Sequence, residues 1–467
     1  MRRRTKIVCT LGPSVDSRQK IKALIDAGMN VARLNCSHGD WDQRERWVKW
    51  VRELSPDVSP VAILVDLQGP KFRIGDLAGG TLELSQGQVV SLGRAGLADI
   101  PIDRPEIMQA MRAGSKLLFG DGEIELKVLK SRDDLFDARV VIGGTLSSRK
   151  GVTLVGSSFD SPALTDKDRE DVVHASRLQA DFIALSYVKR AADVQELREL
   201  VDLYNPRIAI CAKIEMRQGI LDLQHILKVV DVVMVARGDM GLQMDIEEVP
   251  FMQKKIILAC SSAGKPVITA TQMLESMIDN PRPTRAEATD VANAILDGTD
   301  ALMLSGETAS GRYPIECVAT MARIAERAET MYDDSRIEHE FQERKSVGIS
   351  RTDAIAHSVC VLAKCLHPQA ILTLTTSGQT PRLVSKFRPK QTILCSTWDE
   401  ATQRQLAVVW GVEAAKTARP ESTEKEIREA INVFLGKKRL KLGELVIITA
   451  GSPGTAGNTN MILTQVV

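Results

Sequence analysis

The sequence predicts a (β/α)₈ barrel that carries an inserted antiparallel β domain and is followed by a three-layer α/β domain. Three observations lead to this prediction. Short apolar runs alternate with amphipathic helical segments through most of the first three-quarters of the chain. The alternation is interrupted between Gly75 and about Ser157, where apolar residues recur at every second position. It resumes in a separate region that begins near Thr352.

The barrel prediction rests on eight apolar runs with segments of helical periodicity between them. Eight strand–helix units, about 250 residues without an insertion, are typical of a TIM barrel. One predicted helix, Ile246–Ala263, is followed by Gly264 and Pro266, which favour a helix stop. The predicted strands are Lys6–Thr10, Val31–Asn35, Val61–Asp66, Phe182–Ser186, Ile208–Lys213, Val232–Ala236, Val267–Ala270 and Ala301–Leu304.

The insertion follows the third predicted strand and therefore leaves the barrel at the C-terminal ends of its strands. Active sites of such barrels lie at that face, so the inserted β domain is predicted to act as a lid. The last region alternates helices and strands over a stretch of ordinary domain size. The predicted domains are 1–74 and 158–335 for the barrel, 75–157 for the lid, and 336–467 for an α/β domain with a regulatory role.

Composition excludes several classes of partner. The 467 residues include 61 lysines and arginines and 60 acidic residues, a net charge of +1, which gives no electrostatic footprint for nucleic acid or an anionic membrane. No apolar stretch is long enough to span a bilayer, and no apolar signal core follows the basic N-terminus. The eight scattered cysteines indicate reduced thiols. We therefore expect a cytoplasmic protein.

Polar side chains gather at the predicted C-terminal ends of the barrel strands. Lys213 and Glu215 are two residues apart, which places both side chains on one face, and Asp239 follows the next strand. Two carboxylates beside a cation suit a divalent metal and phosphoryl transfer, although a structural ion pair would use the same residues. The complete ring is Arg33, Asn35, Ser37, Asp66, Ser186, Lys213, Glu215, Asp239, Thr271, Ser305 and Glu307.

Two further segments favour anion binding. Gly238 and Gly241 flank Asp239 and allow a ligand to approach the backbone closely, next to a predicted helix start. In the last region, Thr375–Thr380 lies between a strand and a helix, where hydroxyls and N–H groups form phosphate pockets. Thr380 ahead of Pro381 is also typical of a helix N-cap, and a phosphate site would come in addition to that cap.

Long motifs occur in a fixed order along the chain. They are GMNVARLNCSHG at 28–39, AKIE at 212–215, VARGD at 235–239, TATQMLESM at 269–277, MLSGETA at 303–309 and GNTN at 457–460. With these motifs the sequence resembles the pyruvate kinase family over its whole length. The resemblance implies transfer of the phosphoryl group of phosphoenolpyruvate to ADP, giving pyruvate and ATP in glycolysis. It also implies Mg²⁺, with Mn²⁺ as an alternative, a homotetramer, and a phosphorylated allosteric effector.

The resemblance also implies roles for individual residues. Glu215 and Asp239 would hold the metal, and Lys213 would balance charge on the transferring phosphoryl group and the forming enolate. Further catalytic residues would be Arg33 and Arg73 on phosphate oxygens, and Thr271 with Ser305 and Glu307 on the path that protonates the enolate. The substrate would contact Arg33, Asn35, Lys213, Ala236, Arg237, Gly238, Asp239 and Thr271, its carboxylate on the N–H groups of Gly238 and Asp239. The effector phosphate would lie on Thr375, Thr376, Ser377, Gly378 and Thr380.

One departure from the family pattern concerns the monovalent cation. Many relatives need K⁺ and have Asp-Thr-Lys-Gly-Pro-Glu after the third strand, whereas this chain has Asp-Leu-Gln-Gly-Pro-Lys at 66–71. The other cation ligands would be Asn35, Ser37, Asp66 and the carbonyl of Leu67. Lys71 replaces the glutamate, and its ammonium would supply the K⁺ charge internally. This resembles the K⁺-independent members of the family, so K⁺ is not expected to be required.

Two other functions account for part of the pattern. Another barrel enzyme that handles pyruvate or phosphoenolpyruvate with Mg²⁺, such as an aldolase or lyase, would use Arg33, Glu215 and Asp239 but would turn over without ADP. A catalytically inactive scaffold protein would usually have lost a metal ligand or the lysine, and Lys213, Glu215, Asp239 and Thr271 are all present. The loop at 450–457 has no basic residue for a second phosphate, so the effector's identity stays open.

Overall fold

The computed structural model describes residues 3–120, 122–132, 135–156, 162–332, 350–419, 421–451 and 459–467. Eight parallel strands form a closed barrel, in which each strand pairs with its neighbours in sequence and the eighth pairs with the first. The predicted fold class is therefore confirmed. The strands are Lys6–Thr10, Val31–Asn35, Ala62–Asp66, Phe182–Leu185, Ala209–Ile214, Val232–Ala236, Val267–Ala270 and Ala301–Leu304.

Helices surround the barrel because each has one apolar face that packs on the strands. The first begins after Ser17, whose side chain accepts the Lys20 N–H group, and ends at Gly28, where φ is +120°. The helices are Arg18–Ala27, Trp41–Leu54, Asp166–Arg177, Ala191–Tyr204, Arg217–Leu221, Leu223–Val229, Arg237–Gln243, Val249–Ala263, Arg285–Asp297, Gly306–Ala309 and Pro314–Ala328. Short 3₁₀ turns are Pro13–Val15, Ile246–Glu248, Glu275–Ile278 and Glu329–Met331.

Two helices expected to be continuous are interrupted. A helix predicted over 218–229 is two helices that meet at Asp222, whose carboxylate accepts the Ala191 N–H group at 2.7 Å. The helix predicted from Ile246 begins as a 3₁₀ turn, and its α-helical part starts at Val249, one residue before Pro250. Tertiary contacts and proline geometry set these boundaries.

The inserted domain has a sheet and a hydrophobic core of its own, built around residues such as Phe119 and Leu126. Its main sheet is antiparallel as expected, except that Val89–Gly93 pairs in parallel with Ile100–Pro101. In spatial order this sheet is Val152–Leu154, Lys116–Phe119, Ile124–Arg132, Leu135–Ile142, Val89–Gly93 and Ile100–Pro101. A two-stranded sheet joins Thr81–Leu84 to Gly144–Ser147, and one helix covers Pro105–Ala110.

The C-terminal domain is a five-stranded sheet with helices packed against it. Its strands, in spatial order, are Val412–Lys416, Thr392–Thr397, Ala370–Leu374, Leu445–Gly451 and Thr459–Val466, and all pairs are parallel except the last. The helices are Arg351–Leu366, Gln379–Ser385, Glu400–Gln405 and Thr423–Gly436, with a 3₁₀ turn at Leu406–Val408. Most of the polar segment at 333–350 and of the loop at 450–457 lies outside the described residues.

Contacts join the C-terminal domain to the N-terminal ends of the barrel strands, opposite the lid. The Lys6 ammonium donates to the Val412 carbonyl at 2.7 Å. Asp181, just before the fourth strand, receives Arg404 from the C-terminal domain at 2.6 Å and Arg52 from the barrel at 2.9 Å. No helix among the described ranges is long and apolar enough to cross a membrane.

Candidate active site

The second and third barrel strands place a buried ion pair at the C-terminal rim. Arg33 donates through Nε to Asp66 Oδ2 at 2.7 Å and through Nη1 to Thr10 Oγ1 at 2.8 Å. Asp66 is 1% exposed, and burial alone would raise the pKa of its carboxyl. The charges of Lys213 and Arg33 outweigh burial and lower that pKa below its usual value. Asp66 therefore stays ionised beside Arg33.

Lys213 lies at the centre of the rim, on the fifth strand. Its Nζ is 2.8 Å from Ser186 Oγ, 2.9 Å from Glu215 Oε1 and 3.4 Å from Asp66 Oδ1. Burial opposes the charge on Lys213, but the carboxylates of Asp66, Glu215 and Asp239 together raise its pKa above the usual value. The arrangement keeps a protonated ammonium at the centre of the rim.

Glu215 is fully buried beside this ammonium. Burial, its largest influence, raises the pKa of Glu215 to about 7, against the opposing effect of Lys213. Its Oε2 accepts the Tyr187 N–H group at 2.6 Å. Its Oε1 is close to Lys213 but has no hydrogen bond of acceptable geometry, so one buried carboxylate oxygen lacks a directed donor.

Glu215 Oε1, a buried oxygen without a directed donor, is a candidate ligand for a metal ion. Glu215 and Asp239 offer two carboxylates, and the described residues contain no group of three or more His, Cys, Asp or Glu side chains able to hold a metal ion. Mg²⁺ is commonly held by one or two carboxylates, with water and substrate phosphates completing its shell. The residues present therefore fit a Mg²⁺ ion whose coordination the substrate completes.

Tyr187 was not singled out from the sequence, although its N–H group donates to Glu215 and it lines the same cleft as Asp239. Burial, followed by the charges of Asp239 and Glu215, raises the pKa of the phenol well above its usual value. The phenol therefore stays protonated.

Thr271 follows the seventh strand in a strained turn, with φ of +70° at Thr271 and +53° at Gln272. Its hydroxyl donates to the Ala270 carbonyl at 2.6 Å and accepts the Gly238 N–H group at 2.8 Å. The Gly238 N–H group, which the resemblance assigns to a substrate carboxylate, thus donates to Thr271 here. A substrate carboxylate would have to displace that bond.

Arg237 holds the same turn from the other side. Its guanidinium donates to the Thr271 carbonyl at 2.7 Å and forms an ion pair with Asp290 at 2.8 Å. Ala236 precedes it as the last residue of the sixth strand, at the N-cap of the next helix. Through these two contacts Arg237 supports the turn at Thr271.

Ser305 and Glu307 follow the eighth strand. Glu307 is fully buried and accepts the N–H groups of Leu274 at 3.1 Å and Ser305 at 2.7 Å. Its carboxylate therefore ties the eighth-strand end to the segment after Thr271. The Ser305 hydroxyl is buried without a hydrogen-bond partner among the described residues, so it remains available as a donor.

A cleft of about 580 Å³, including its open mouth, lies between lid and barrel and is lined by Lys71, Tyr187, Lys189 and Asp239. Lys71 is exposed and packs beside Gly151 of the lid. Arg73, expected on the phosphate, is also exposed, and its guanidinium donates to the Arg149 carbonyl in the lid at 3.0 Å. Arg73 is thus tied to the lid.

The expected monovalent-cation ligands lie on neighbouring strand ends. Asn35 pairs with Asp66 in the sheet register, and Asn35 Oδ1 accepts the Ser37 N–H group at 3.0 Å. The Leu67 carbonyl accepts the Ser186 hydroxyl at 2.8 Å. The structure gathers these four residues at one rim, while Lys71 lines the adjacent cleft with Asp239.

The predicted effector segment is a loop over 375–378 followed by the first two residues of the helix Gln379–Ser385. Thr375 Oγ1 accepts the Gly378 N–H group at 3.0 Å, and Thr376 and Ser377 are exposed. The interpretation of Thr380 as the N-cap is wrong. The N-cap is Gly378, at φ +77°, and the Thr380 hydroxyl is instead 2.6 Å from that of Thr459. The last strand, absent from the sequence prediction, supplies this competing partner.

Comparison with known proteins assigns the family. Residues 2–318 match the model of the pyruvate kinase barrel domain, and residues 353–464 match that of the pyruvate kinase alpha/beta domain. Pyruvate kinases from Geobacillus stearothermophilus and Bacillus licheniformis are each 44% identical to the chain, covering 100% of it and 81% and 80% of their own lengths. A solved pyruvate kinase from Cryptosporidium parvum superposes with a TM-score of 0.93 at 36% identity, over 99% of this chain and 96% of that one. The chain belongs to the pyruvate kinase family.

Proposed function

We propose that the chain, a phosphotransferase by family, moves the phosphoryl group of phosphoenolpyruvate to ADP at the rim formed by Arg33, Lys213, Glu215 and Asp239. Pyruvate and ATP are the products once the enolate takes up one proton. The observation that carries the proposal is the position of the Lys213 ammonium, within 3.4 Å of both Glu215 and Asp66. A fixed cation between carboxylates is suited to a group whose negative charge shifts during transfer.

Glu215 and Asp239 would hold Mg²⁺, or Mn²⁺ in its place, which when bound neutralises and orients phosphoryl oxygens. Lys213 would contact the same oxygens and then the enolate oxygen. Arg33 is already held rigidly by Asp66 and Thr10, so it would bind phosphate with little loss of side-chain freedom. Arg73 would reach the phosphate by exchanging its contact with the lid, and Asn35 would add a polar contact to the substrate.

Thr271 would lie on the path by which a proton reaches the enolate. Its hydroxyl is fixed by Ala270 and Gly238, which sets its position at the rim. Ser305 would extend the path, since its buried hydroxyl has no partner among the described residues. Glu307 would act by holding both segments in place. The N–H groups of Gly238 and Asp239, with Ala236 and Arg237 beside them, would receive the substrate carboxylate.

We further propose that the reaction needs no K⁺ because Lys71 supplies the charge. Lys71 has no carboxylate partner among the described residues and lines the same cleft as Asp239. Lys71→Glu should therefore create a K⁺ requirement. The variant's rate in K⁺-free and Na⁺-free buffer should fall by at least tenfold, about 1.4 kcal/mol in the barrier, and recover when K⁺ is added.

The test is pyruvate formation from phosphoenolpyruvate and Mg²⁺, with and without ADP, and with and without K⁺. Turnover that requires ADP but is indifferent to K⁺ supports both proposals. Turnover only with K⁺ keeps the phosphoryl transfer and removes the role of Lys71. Turnover without ADP would indicate an aldolase or lyase. Absence of turnover under every condition, even with candidate effectors added, would indicate a catalytically inactive scaffold protein.

The C-terminal domain would bind the phosphate of an allosteric effector at Thr375–Thr380, where Thr376 and Ser377 are exposed. The active form would be a homotetramer. Sugar phosphates and nucleotides should be compared as activators of wild type and Ser377→Asp, because an added carboxylate repels a phosphate. Sedimentation velocity measures the assembly, and a monomer at full activity would contradict the tetramer.

A further inference from the structure

We propose that Ser186 is a positioning residue for Lys213: its hydroxyl oxygen fixes the direction of the ammonium, while the neighbouring carboxylates supply opposite charge. This inference rests on the proposed function, because Lys213 is the residue that contacts the transferring phosphoryl group there. It adds a role for a residue that the strand-end pattern places on the rim and to which the family resemblance assigns no role.

The first observation concerns the direction of the two hydrogen bonds at Ser186. Its Oγ lies 2.8 Å from the Leu67 carbonyl oxygen and 2.8 Å from Lys213 Nζ. A carbonyl oxygen can only accept a hydrogen bond, and an ammonium can only donate one. The single hydroxyl proton of Ser186 therefore goes to Leu67, and a lone pair of the same oxygen accepts a proton of the Lys213 ammonium.

The second observation concerns the other neighbours of the ammonium. Lys213 Nζ lies 2.9 Å from Glu215 Oε1 and 3.4 Å from Asp66 Oδ1, but neither oxygen accepts a hydrogen bond of acceptable geometry. Attraction between charges has no preferred angle, whereas a hydrogen bond weakens steeply when it is bent. Among the described residues, Ser186 is thus the only acceptor of a directed hydrogen bond from this ammonium.

The third observation is that Ser186 is itself held firmly in place. It is 3% exposed and directly follows the fourth barrel strand, Phe182–Leu185. Gly69, at φ +67°, packs closely on it, since a Cβ added there would lie 2.9 Å from Ser186 Cβ. The next residue, Tyr187, has a φ of +56°, which is rare for a bulky residue and occurs where surrounding structure imposes it. Ser186 is therefore a fixed acceptor, as positioning of a catalytic group requires.

The test is Ser186→Ala, which removes the acceptor and leaves both carboxylates. Steady-state rates are measured with phosphoenolpyruvate, ADP and Mg²⁺. A displacement of about 1 Å at a catalytic group can lower the rate about 100-fold. Because the carboxylates still attract the ammonium, we expect a smaller loss, about tenfold in kcat. The KM for phosphoenolpyruvate should stay within about twofold of wild type, since the charge remains and only its alignment in the transition state is lost.

Two further variants separate a lost acceptor from a packing defect. Ser186→Cys keeps a side chain of similar size but offers a much weaker acceptor, so its kcat should fall as well. Ser176→Ala is the matched control, because the Ser176 hydroxyl is buried on the helix Asp166–Arg177 and has no hydrogen-bond partner among the described residues. It should turn over like wild type.

A double variant tests whether Ser186 acts through Lys213. In Lys213→Met the ammonium is gone, so adding Ser186→Ala should change the remaining rate by less than about twofold, as coupled residues do. A structural role, through the Leu67 carbonyl or through packing, would lower the rate by the same factor with and without Lys213. Equal factors in the two backgrounds would therefore overturn the inference.

The outcomes distinguish this inference from the proposed function. If wild type turns over only with ADP and Lys213→Met is impaired, but Ser186→Ala and Ser186→Cys keep the wild-type kcat, the role of Ser186 is overturned and the proposed function stands. If wild type shows no turnover that requires ADP, or Lys213→Met is as active as wild type, the role of Lys213 at the rim fails and that of Ser186 fails with it.

Discussion

Lys213 places a buried ammonium between two buried carboxylates, Glu215 and Asp66, so its removal has consequences for both activity and stability. We expect Lys213→Met to lower kcat about 1000-fold, the scale seen when a charge-stabilising donor is lost. It should also lower the free energy of unfolding by about 3 kcal/mol, because Glu215 keeps its burial without its counter-charge. Steady-state turnover and urea unfolding measure the two effects.

A second substitution separates these effects of Lys213. In Lys213→Met combined with Glu215→Gln the unpaired buried charge is gone, so most of the lost stability should return, whereas activity should stay low. Equal losses of stability in the single and double variants would show that Lys213 does not stabilise the rim through Glu215. The comparison relies on coupling between residues in contact, which single variants alone do not reveal.

Individual rim residues could be predicted from the sequence where they directly end or follow an apolar strand. Lys213, Glu215 and Asp239 follow buried apolar runs, so the period of the strand places them on one rim. Tyr187 and its left-handed backbone were not predictable, because no local pattern marks a bulky residue for positive φ. Arg237 was expected on substrate, and only its tertiary neighbours reveal the contacts with Thr271 and Asp290.

Among the elements, the 3₁₀ turn Glu329–Met331 holds the segment that leads into the first barrel strand. The Glu329 carboxylate accepts the Arg4 N–H group at 2.9 Å, and the Thr5 N–H group and hydroxyl at 2.6 and 2.7 Å. It is 5% exposed. We expect Glu329→Ala to lower the free energy of unfolding by about 3 kcal/mol, because several buried donors lose their acceptor.

Urea unfolding followed by tryptophan fluorescence measures this loss. Glu326→Ala, on the exposed face of the preceding helix Pro314–Ala328, is the matched control and should stay within about 0.5 kcal/mol of wild type. Similar stabilities for the two variants would mean that the Glu329 contacts do not hold the first strand. Activity of Glu329→Ala under native conditions should change little, since the substitution lies at the opposite end of the strands from the rim.

At this scale the sequence predicts buried strands better than edge strands. The barrel runs are continuous stretches of Val, Ile, Leu and Ala because both faces are covered, which makes them recognisable. The edge strand Thr459–Val466 is mostly exposed and has no such run, and its antiparallel pairing with Leu445–Gly451 depends on the rest of the sheet. Its absence from the prediction also explains the wrong N-cap at Thr380.

At the scale of the whole molecule, the barrel and the C-terminal domain share a buried interface, called the seam below. Barrel side chains such as Val8 and Phe182 belong to the same buried cluster as Phe387 and Val412 of the C-terminal domain. Charged groups enter this seam as well: Arg388 pairs with Asp300 at 3.1 Å, and Lys6 donates to the Val412 carbonyl. Buried charges at such a seam make its stability depend on pH.

For Lys6, the direction in which the free energy of unfolding changes with pH can be predicted. Burial, its largest influence, lowers the pKa of Lys6 to about 8 despite the nearby Glu413. The unfolded value is about 10.4, so between these two values the unfolded chain binds more protons and stability rises with pH. Below about pH 8 both states are protonated, and the folded state carries the full cost of a desolvated ammonium, about 3 kcal/mol.

We therefore expect the free energy of unfolding of wild type to rise by about 3 kcal/mol more than that of Lys6→Met between pH 7.5 and 10.5. Urea unfolding of both proteins across this range measures the difference, and contributions from cysteines and tyrosines cancel because they are common to both. Lys49→Met, which removes an exposed lysine from the helix Trp41–Leu54, should run parallel to wild type. Parallel profiles for Lys6→Met and wild type would mean that the Lys6 ammonium keeps an ordinary pKa, in which case the seam tolerates its charge and pH does not act through it.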